Sequence, residues 1–193
     1  MYGAGAERQG MNVTPELDAQ FRAAALREGL VDVRYDVVDS PVGELFVAAT
    51  ERGLCRISYT VEDQDEALAR VFGARVLRSR LDDARRELDE YFEGRRRDFD
   101  LPLDLRVAPF NEAVLRELAL VPYGRVDTYG SLAAKVGRPR AARAVGTVMN
   151  RNPIPIVLPC HRIIGANGSL TGYAGGLAVK RALLELEGAT LAL

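Results

Sequence analysis

The 193-residue sequence has two cysteines and a single histidine, and this scarcity excludes several kinds of site. Cys55 and Cys160 are too few for a disulfide scaffold, so we expect a reducing compartment and a cytoplasmic protein. Because His161 is the only histidine, a four-ligand zinc site of Cys and His is excluded unless carboxylates contribute. No run reaches about eighteen apolar residues, so no membrane-spanning helix is expected. Residues 1–30 also lack the apolar segment of a secretory signal.

The net charge of −1 conceals an uneven distribution of charge along the chain. Residues 1–108 carry 16 basic and 22 acidic side chains, whereas residues 109–193 carry 10 basic and 5 acidic ones. A basic second half behind an acidic first half indicates that a polyanion contacts the second half only. The alternative is a chance distribution of charges over a solvated surface.

The first part of the chain predicts a small α/β domain behind a polar extension. Residues 1–30 form the extension, with one weak helix at residues 14–28. Three strands and two helices are predicted next, at residues 31–38, 44–49 and 54–59 and at residues 62–72 and 79–92. A charged connector that contains Pro102 then ends near residue 107. We therefore predict a domain boundary there, between an α/β domain at residues 31–107 and a second domain at residues 108–193.

The second domain is predicted to be helical. Pro109 suits the first turn of a helix over residues 110–120, and a final helix is expected at residues 177–187. Two short helices lie between them, at residues 131–136 and 140–150, with a glycine-containing turn between the two. This arrangement is typical of a helix-turn-helix, a motif that binds DNA.

The sequence Pro159-Cys160-His161-Arg162 follows an apolar run and contains the only histidine. Positive charge near a thiol favours the thiolate, so the neighbouring Arg162 predicts a lowered thiol pKa and a reactive cysteine. In an extended segment, however, adjacent side chains point to opposite faces. A turn at Cys160 or a bridging water would be needed for Cys160 and His161 to act together. A buried structural cysteine beside a satisfied histidine is the alternative.

This tetrapeptide is the centre of a longer set of motifs. The set comprises Val121-Pro122-Tyr123-Gly124, Tyr129-Gly130-Ser131-Leu132-Ala133, Ala142-Arg143-Ala144-Val145-Gly146, Asn152-Pro153-Ile154-Pro155-Ile156-Val157-Leu158-Pro159-Cys160-His161-Arg162 and Gly172-Tyr173-Ala174-Gly175-Gly176-Leu177. In order and spacing it resembles the O6-alkylguanine-DNA alkyltransferase family, the methylated-DNA–protein-cysteine methyltransferases. Ser40-Pro41-Val42-Gly43 and Glu51-Arg52-Gly53-Leu54 are similar to the family's N-terminal α/β domain. The resemblance implies a ribonuclease H-like domain with an antiparallel sheet, followed by an all-helical DNA-binding domain with a helix-turn-helix.

The resemblance also implies a chemical role for five residues. Cys160 would accept the alkyl group of O6-alkylguanine, and also that of O4-alkylthymine, in a single irreversible transfer without a cofactor. His161 would be the water-mediated base that takes the thiol proton, and Glu187 would orient it. Tyr129 would donate a hydrogen bond to the departing guanine, and Asn152 would brace the turn around the cysteine.

For DNA binding, the resemblance implies that Arg143 enters the base stack in place of an extruded nucleotide of duplex DNA. The guanine pocket would be formed by the backbone near Val157, Cys160, Tyr173 and Ala174. Phosphate contacts are expected from the arginines around the predicted helix-turn-helix, Arg138, Arg140 and Arg151. Neither a membrane nor an obligate protein partner is implied.

Three other functions fit part of this pattern. A damage-recognition protein of the same fold would bind DNA without reacting, but it would not need Cys160. A thiol hydrolase that uses Cys160 and His161 would turn over an ester or a peptide without DNA. A helix-turn-helix regulator would prefer a defined operator and would not need the Pro-Cys-His-Arg sequence.

Overall fold

The computed structural model describes residues 14–73 and 75–189. The chain divides into two compact units, Met1–Val31 and Asp32–Leu193. Within the described ranges, no helix combines the length and the apolar character that crossing a membrane requires.

The first unit contains helix α1 (Pro15–Arg27). Thr14 caps its start, because the Thr14 Oγ1 accepts a hydrogen bond of 3.3 Å from the backbone N–H of Leu17. Pro15 occupies the first helical position, where its missing N–H costs nothing. The helix predicted over residues 14–28 is confirmed.

The second unit begins with a four-stranded sheet. Its strands are β1 (Val33–Val38), β2 (Leu45–Thr50), β3 (Gly53–Ser58) and β4 (Val76–Arg78). The spatial order is β3-β2-β1-β4, with antiparallel pairing among β1, β2 and β3 and parallel pairing between β1 and β4. The three antiparallel strands lie where the sequence predicts them. Strand β4 was not predicted, because three residues are too few to show an alternating pattern.

Two helices cover the two faces of this sheet, α2 (Gln64–Phe72) and α3 (Asp82–Phe92). Successive side chains of β2 point to opposite faces, as the geometry of a strand requires. Phe46 packs in a cluster with Cys55 and with Leu68 of α2. The next residue, Val47, belongs to the larger core together with α3. Strand β2 is therefore buried on both faces, and Cys55 is a buried core residue.

The rest of the second unit is mainly helical. Its helices are α4 (Pro109–Ala119), α5 (Tyr129–Lys135), α6 (Ala142–Asn150) and α7 (Gly176–Leu186). Helices α4, α5 and α6 contact one another, and Pro109 opens α4 as predicted. Two strands of two residues each, β5 (Asp127–Thr128) and β6 (Ile163–Ile164), pair in parallel. They were not predicted, since dipeptides carry no periodicity.

Helices α5 and α6 and the turn between them form the predicted helix-turn-helix. Gly137 adopts a left-handed backbone (φ 70°) just after α5, as helix ends often require. Pro139 then lies in a turn that is closed by the Ala141 N–H donating to the Arg138 carbonyl at 2.8 Å. Because of this turn, α6 begins at Ala142, and Arg140 precedes the helix. The prediction that Arg140 lies on the helix is therefore wrong.

The larger of the two hydrophobic cores extends from the sheet into the helical part of the second unit. It includes Val38 of the sheet and Leu183 of α7, and the N–H of Ile57 in β3 donates to the carbonyl of Pro153 at 2.9 Å. The sheet thus supports the segment that leads to the Pro-Cys-His-Arg sequence. A domain boundary near residue 107 stays a prediction.

Candidate active site

Cys160–Arg162 form one turn of 3-10 helix rather than an extended strand. The approach to this turn is restricted, because Pro153 and Pro155 limit the residues before them to extended backbone. Between them and Pro159 the backbone reverses at Ile156, which is fully buried and left-handed (φ 76°). A left-handed conformation costs on the order of 1–2 kcal/mol for a residue with a Cβ. The surrounding fold therefore imposes the geometry of this turn.

Asn152 holds the thiol of Cys160, which is almost completely buried. The side-chain amide of Asn152 donates to the Cys160 Sγ at 3.1 Å and to the Leu158 carbonyl at 2.7 Å. Asn152 is itself buried, so both of its amide hydrogens are used without competition from water. This side chain fixes the position of the sulfur relative to the preceding loop.

The carboxylate of Glu187 is the centre of a buried hydrogen-bond network. Its Oε1 accepts from the Tyr91 hydroxyl (2.8 Å) and from the Arg162 Nη2 (2.9 Å), and it lies 2.9 Å from the His161 Nε2. Its Oε2 accepts from the Arg162 Nε (2.9 Å) and from the Gly124 N–H (3.2 Å). Burial by itself would raise the pKa of this carboxyl, but the hydrogen bonds from His161 and Arg162 hold the pKa of Glu187 at about 2. Glu187 is therefore ionised at neutral pH.

His161 is fully buried, and its two ring nitrogens have different surroundings. Because Glu187 is ionised, its Oε1 accepts the proton on the His161 Nε2, which leaves the Nδ1 as an acceptor. The Nδ1 has no hydrogen-bond partner in the described part of the chain. Burial lowers the pKa of His161, although Glu187 opposes the shift. The neutral imidazole thus presents a basic lone pair inside the site.

The predicted low pKa of the Cys160 thiol is wrong for the free protein. Burial raises the pKa of this thiol to about 11, although the hydrogen bond from Asn152 and the charge of Lys180 oppose the shift. Arg162, the cation invoked from the sequence, instead binds Glu187 with two nitrogens. The resting thiol is therefore protonated and needs a base.

Tyr129 lies beside an open groove of about 470 Å³. It is the first residue of α5, whose start is capped by Thr128 accepting from the Ser131 N–H at 3.1 Å. Arg143 and Thr171 also line the groove, and the Thr171 hydroxyl donates to the Tyr129 hydroxyl oxygen at 3.0 Å. The structure thus brings Tyr129 and Arg143 together.

The four predicted DNA-binding arginines are all exposed. Arg143 is the second residue of α6, and Arg151 directly follows this helix. Arg138 and Arg140 lie in the turn before it. Exposed guanidinium groups around one helix suit contacts with a phosphate backbone.

A second cavity, of about 380 Å³, has residues of β3 and of the predicted guanine pocket in its lining. The lining includes Asn152 and Ala174, together with Tyr59, which directly follows β3. The hydroxyl of Tyr59 lies 2.6 Å from that of Tyr173, whose ring also stands edge-on to the His161 ring at 6.5 Å. Val157 is half-buried and packs against the core.

Contributors to the site that were not among the predicted site residues include Tyr91, Lys180 and Thr171. Tyr91 comes from α3 of the α/β part, and no local motif marks it. Lys180 is fully buried in α7, where a lysine normally signals a solvated face. Thr171 lies next to the Gly172-Tyr173 motif, and this proximity was the only available signal. Within the described residues, no group of three or more His, Cys, Asp or Glu side chains could hold a metal ion.

Two protein-family models match the chain. The model of the "6-O-methylguanine DNA methyltransferase, ribonuclease-like domain" matches residues 33–105. The model of the "6-O-methylguanine DNA methyltransferase, DNA binding domain" matches residues 109–189.

Similar proteins come from archaea and bacteria. The methylated-DNA–protein-cysteine methyltransferase of Methanosarcina barkeri is 40% identical over 155 residues, which cover 79% of this chain and 96% of the relative. The protein of the same name from Mycobacterium tuberculosis is 42% identical over 158 residues, or 80% of this chain and 92% of the relative.

Crystal structures of a Mycobacterium tuberculosis protein share the fold. Its O6-methylguanine methyltransferase superposes with a TM-score of 0.73 at 40% identity, covering 81% of this chain and 93% of that one. A structure of the Mycobacterium tuberculosis protein OGT in complex with DNA also has a TM-score of 0.73, at 39% identity, with 80% and 92% coverage.

Proposed function

Because this chain belongs to the family of methylated-DNA–protein-cysteine methyltransferases, we propose that Cys160 is the residue that accepts the alkyl group. The protein repairs DNA by direct reversal: the alkyl group of O6-alkylguanine moves to a cysteine, and the guanine is restored. The observation that carries the choice of Cys160 is its surroundings. Its sulfur is held by Asn152, and the next residue is a histidine bound to an ionised Glu187. Cys55, by contrast, is buried in the sheet core.

Proton removal from Cys160 is the first requirement of the reaction. With a thiol pKa of about 11, the thiolate is on the order of one molecule in 10,000 at pH 7, a cost of ~5 kcal/mol. The free Nδ1 of His161 can accept the proton, through the water that the family resemblance implies, while Glu187 stabilises the imidazolium. Correct positioning of the reacting atoms contributes up to ~7–11 kcal/mol, which exceeds the cost of ionisation. Positioning therefore matters more than a reactive resting thiol.

Charge on the departing guanine is the second requirement. The sulfur forms a bond with the alkyl carbon, and the electrons of the broken carbon–oxygen bond remain on O6 of the purine. In this proposal Tyr129 donates a hydrogen bond to the purine as that charge develops. Its position beside the open groove, next to Arg143, supports this role.

Access to the base is the third requirement, because the target atom lies inside the duplex. Extruding a nucleotide costs a few kcal/mol. Arg143, exposed at the start of α6, would fill the gap in the base stack. Arg138, Arg140 and Arg151 would bind phosphates on either side, and the guanine would contact the backbone near Val157, Tyr173 and Ala174. The exposure of all four arginines supports this arrangement.

The proposal also covers the domain division of the chain and the compartment in which the protein acts. A division near residue 107 into a ribonuclease-like part and a DNA-binding part is supported by the limits of the two matching family models. A cytoplasmic location is supported by Cys55 and Cys160, which are both free thiols, because thiols persist in a reducing compartment.

The test is a titration of duplex DNA that carries one O6-methylguanine. Repaired guanine is expected to reach a plateau at one equivalent of active protein, because a thioether on Cys160 has no good leaving group. Peptide mass analysis should find one methyl group on the Cys160 peptide. The Cys160→Ser protein should transfer nothing, whereas the matched control Cys55→Ser should react like the wild type. Product that accumulates well past one equivalent, or methyl groups on Cys55, would contradict the proposal and favour a hydrolase or another acceptor.

A further inference from the structure

Thr171 directs a hydrogen bond at the Tyr129 hydroxyl. Its Oγ1 donates to the Tyr129 Oη at 3.0 Å, although the two residues are 42 positions apart. A phenol oxygen that accepts a hydrogen bond keeps its own hydrogen available for another acceptor. Both residues line the same groove as Arg143. The hydrogen of Tyr129 is therefore free for a ligand that enters this groove.

Lys180 anchors the backbone of Thr171 from inside the protein. Its ammonium donates to the Thr171 carbonyl at 3.0 Å and to the Ile163 carbonyl at 2.5 Å. Ile163 directly follows the turn that contains Cys160. Lys180 is fully buried, and its bond to the Ile163 carbonyl is shielded from water. The reactive turn and the Thr171 loop are thus tied to one buried group, which sets their separation.

We propose that Thr171 is a positioning residue for alkyl transfer, because its hydroxyl orients the phenol of Tyr129 toward the departing guanine. This inference rests on the proposed function. As the bond between the alkyl carbon and O6 breaks, the purine gains the electron pair and Tyr129 donates a stronger hydrogen bond to it. The Tyr129 oxygen then gains negative charge, which strengthens the hydrogen bond that it accepts from Thr171. Thr171 thus stabilises the transition state more than the resting protein.

The experiment compares three variants in single-turnover reactions with O6-methylguanine duplex DNA. Thr171→Val removes the hydroxyl and keeps the shape, and it should slow transfer roughly three- to tenfold, the effect of one hydrogen bond. Thr171→Ser should restore most of the rate. Ser169→Ala, which removes an exposed hydroxyl from the same loop, is the matched control and should react like the wild type. Affinity for the duplex should be unchanged in all three.

Two further measurements separate orientation of Tyr129 from a general effect on the loop. In a Tyr129→Phe background, Thr171→Val should cause no additional loss of rate, because the phenol that it orients is absent. With O6-benzyl-8-azaguanine, whose electron-poor purine leaves more easily than that of O6-benzylguanine, the effect of Thr171→Val should shrink. Additive losses, or equal losses with both free bases, would overturn the positioning role.

The two levels of the proposal can fail separately. A wild-type protein that leaves O6-methylguanine unrepaired contradicts the proposed function itself. A wild-type protein that repairs it at the same rate as Thr171→Val contradicts only the role of Thr171.

Discussion

The Tyr91 hydroxyl donates a hydrogen bond of 2.8 Å to the Glu187 Oε1 across 96 positions of the sequence. Tyr91 belongs to helix α3, which covers the sheet, whereas Glu187 follows the last described helix and contacts His161 beside Cys160. The α/β part of the protein therefore takes part in holding the carboxylate that serves the site.

Tyr91→Phe removes this hydroxyl and keeps the ring. We expect the free energy of unfolding to fall by ~1.5–3 kcal/mol, because the hydrogen bond is buried and its acceptor is charged. The alkyl-transfer rate should change by less than about threefold, since Arg162 and Gly124 still hold the carboxylate. Urea unfolding measures the first effect. Tyr123→Phe, which removes a bond to an uncharged carbonyl, is the matched control; equal losses in both variants would contradict the prediction.

Stability should fall in acid partly because of Glu187. Its pKa lies at about 2 in the folded protein, below the ordinary value of 4.5. Ionised Glu187 therefore contributes about 3 kcal/mol above pH 4.5, and this contribution is lost as the pH falls from 4.5 toward 2. The Glu187→Gln protein should be less stable at neutral pH and should lose stability less steeply in this range. Urea unfolding at several pH values checks this. The exposed Glu185→Gln should keep the wild-type slope, and an unchanged slope for Glu187→Gln would refute the assignment.

The Cys160 thiol should react as a weak acid. In a Cys55→Ser background, the rate of carbamidomethylation by iodoacetamide should keep rising past pH 9, because the pKa of the Cys160 thiol is raised to about 11. Asn152→Ala removes the hydrogen bond to the sulfur and should raise this pKa further, by roughly half a unit to one unit. At any one pH, the Asn152→Ala protein should therefore be carbamidomethylated more slowly than the parent protein. A plateau near pH 8.5 in the parent protein would show that the burial argument is wrong.

Arg143 should matter for duplex DNA and not for a free base. Arg143→Ala is expected to slow repair of duplex O6-methylguanine by about tenfold or more, because filling the stack offsets part of the few kcal/mol that extrusion costs. Its reaction with free O6-benzylguanine should be nearly unchanged. Arg138→Ala should instead weaken DNA binding and flatten its salt dependence, as loss of a phosphate contact does. If Arg143→Ala slowed both reactions equally, the proposal that Arg143 enters the base stack would be contradicted.

Elements that carry a repeating pattern could be predicted from the sequence. Strand β2 and helix α4 lie within one residue of their expected limits, because alternation and a proline at the helix start are local signals. Strands β4, β5 and β6 have no such signal, since two or three residues form strands only through their partners. The sequence predicts a helix from residue 140, but the turn at Pro139 excludes Arg140 from that helix, and no repeating pattern marks where such a turn ends.

The site was predictable where chemistry is local in the chain. Cys160, His161 and Asn152 belong to one continuous motif, and the structure brings them together. Tyr91 could not be predicted, because only the packing of α3 brings it to Glu187. The prediction of a lowered pKa for the Cys160 thiol is wrong for a related reason. The sequence shows that Arg162 is nearby, but it does not show that the thiol is buried or that Glu187 binds Arg162.

The left-handed backbone at Ile156 cannot be relieved by a single substitution without a loss of stability elsewhere in the core. Glycine would relieve a conformational cost of about 1–2 kcal/mol at this position. It would also delete a fully buried isoleucine side chain, a loss of ~2–5 kcal/mol. The second amount is larger, so the replacement that suits the backbone worsens the core. Directed evolution for heat resistance is therefore expected to retain Ile156 and to accumulate its gains elsewhere in the molecule.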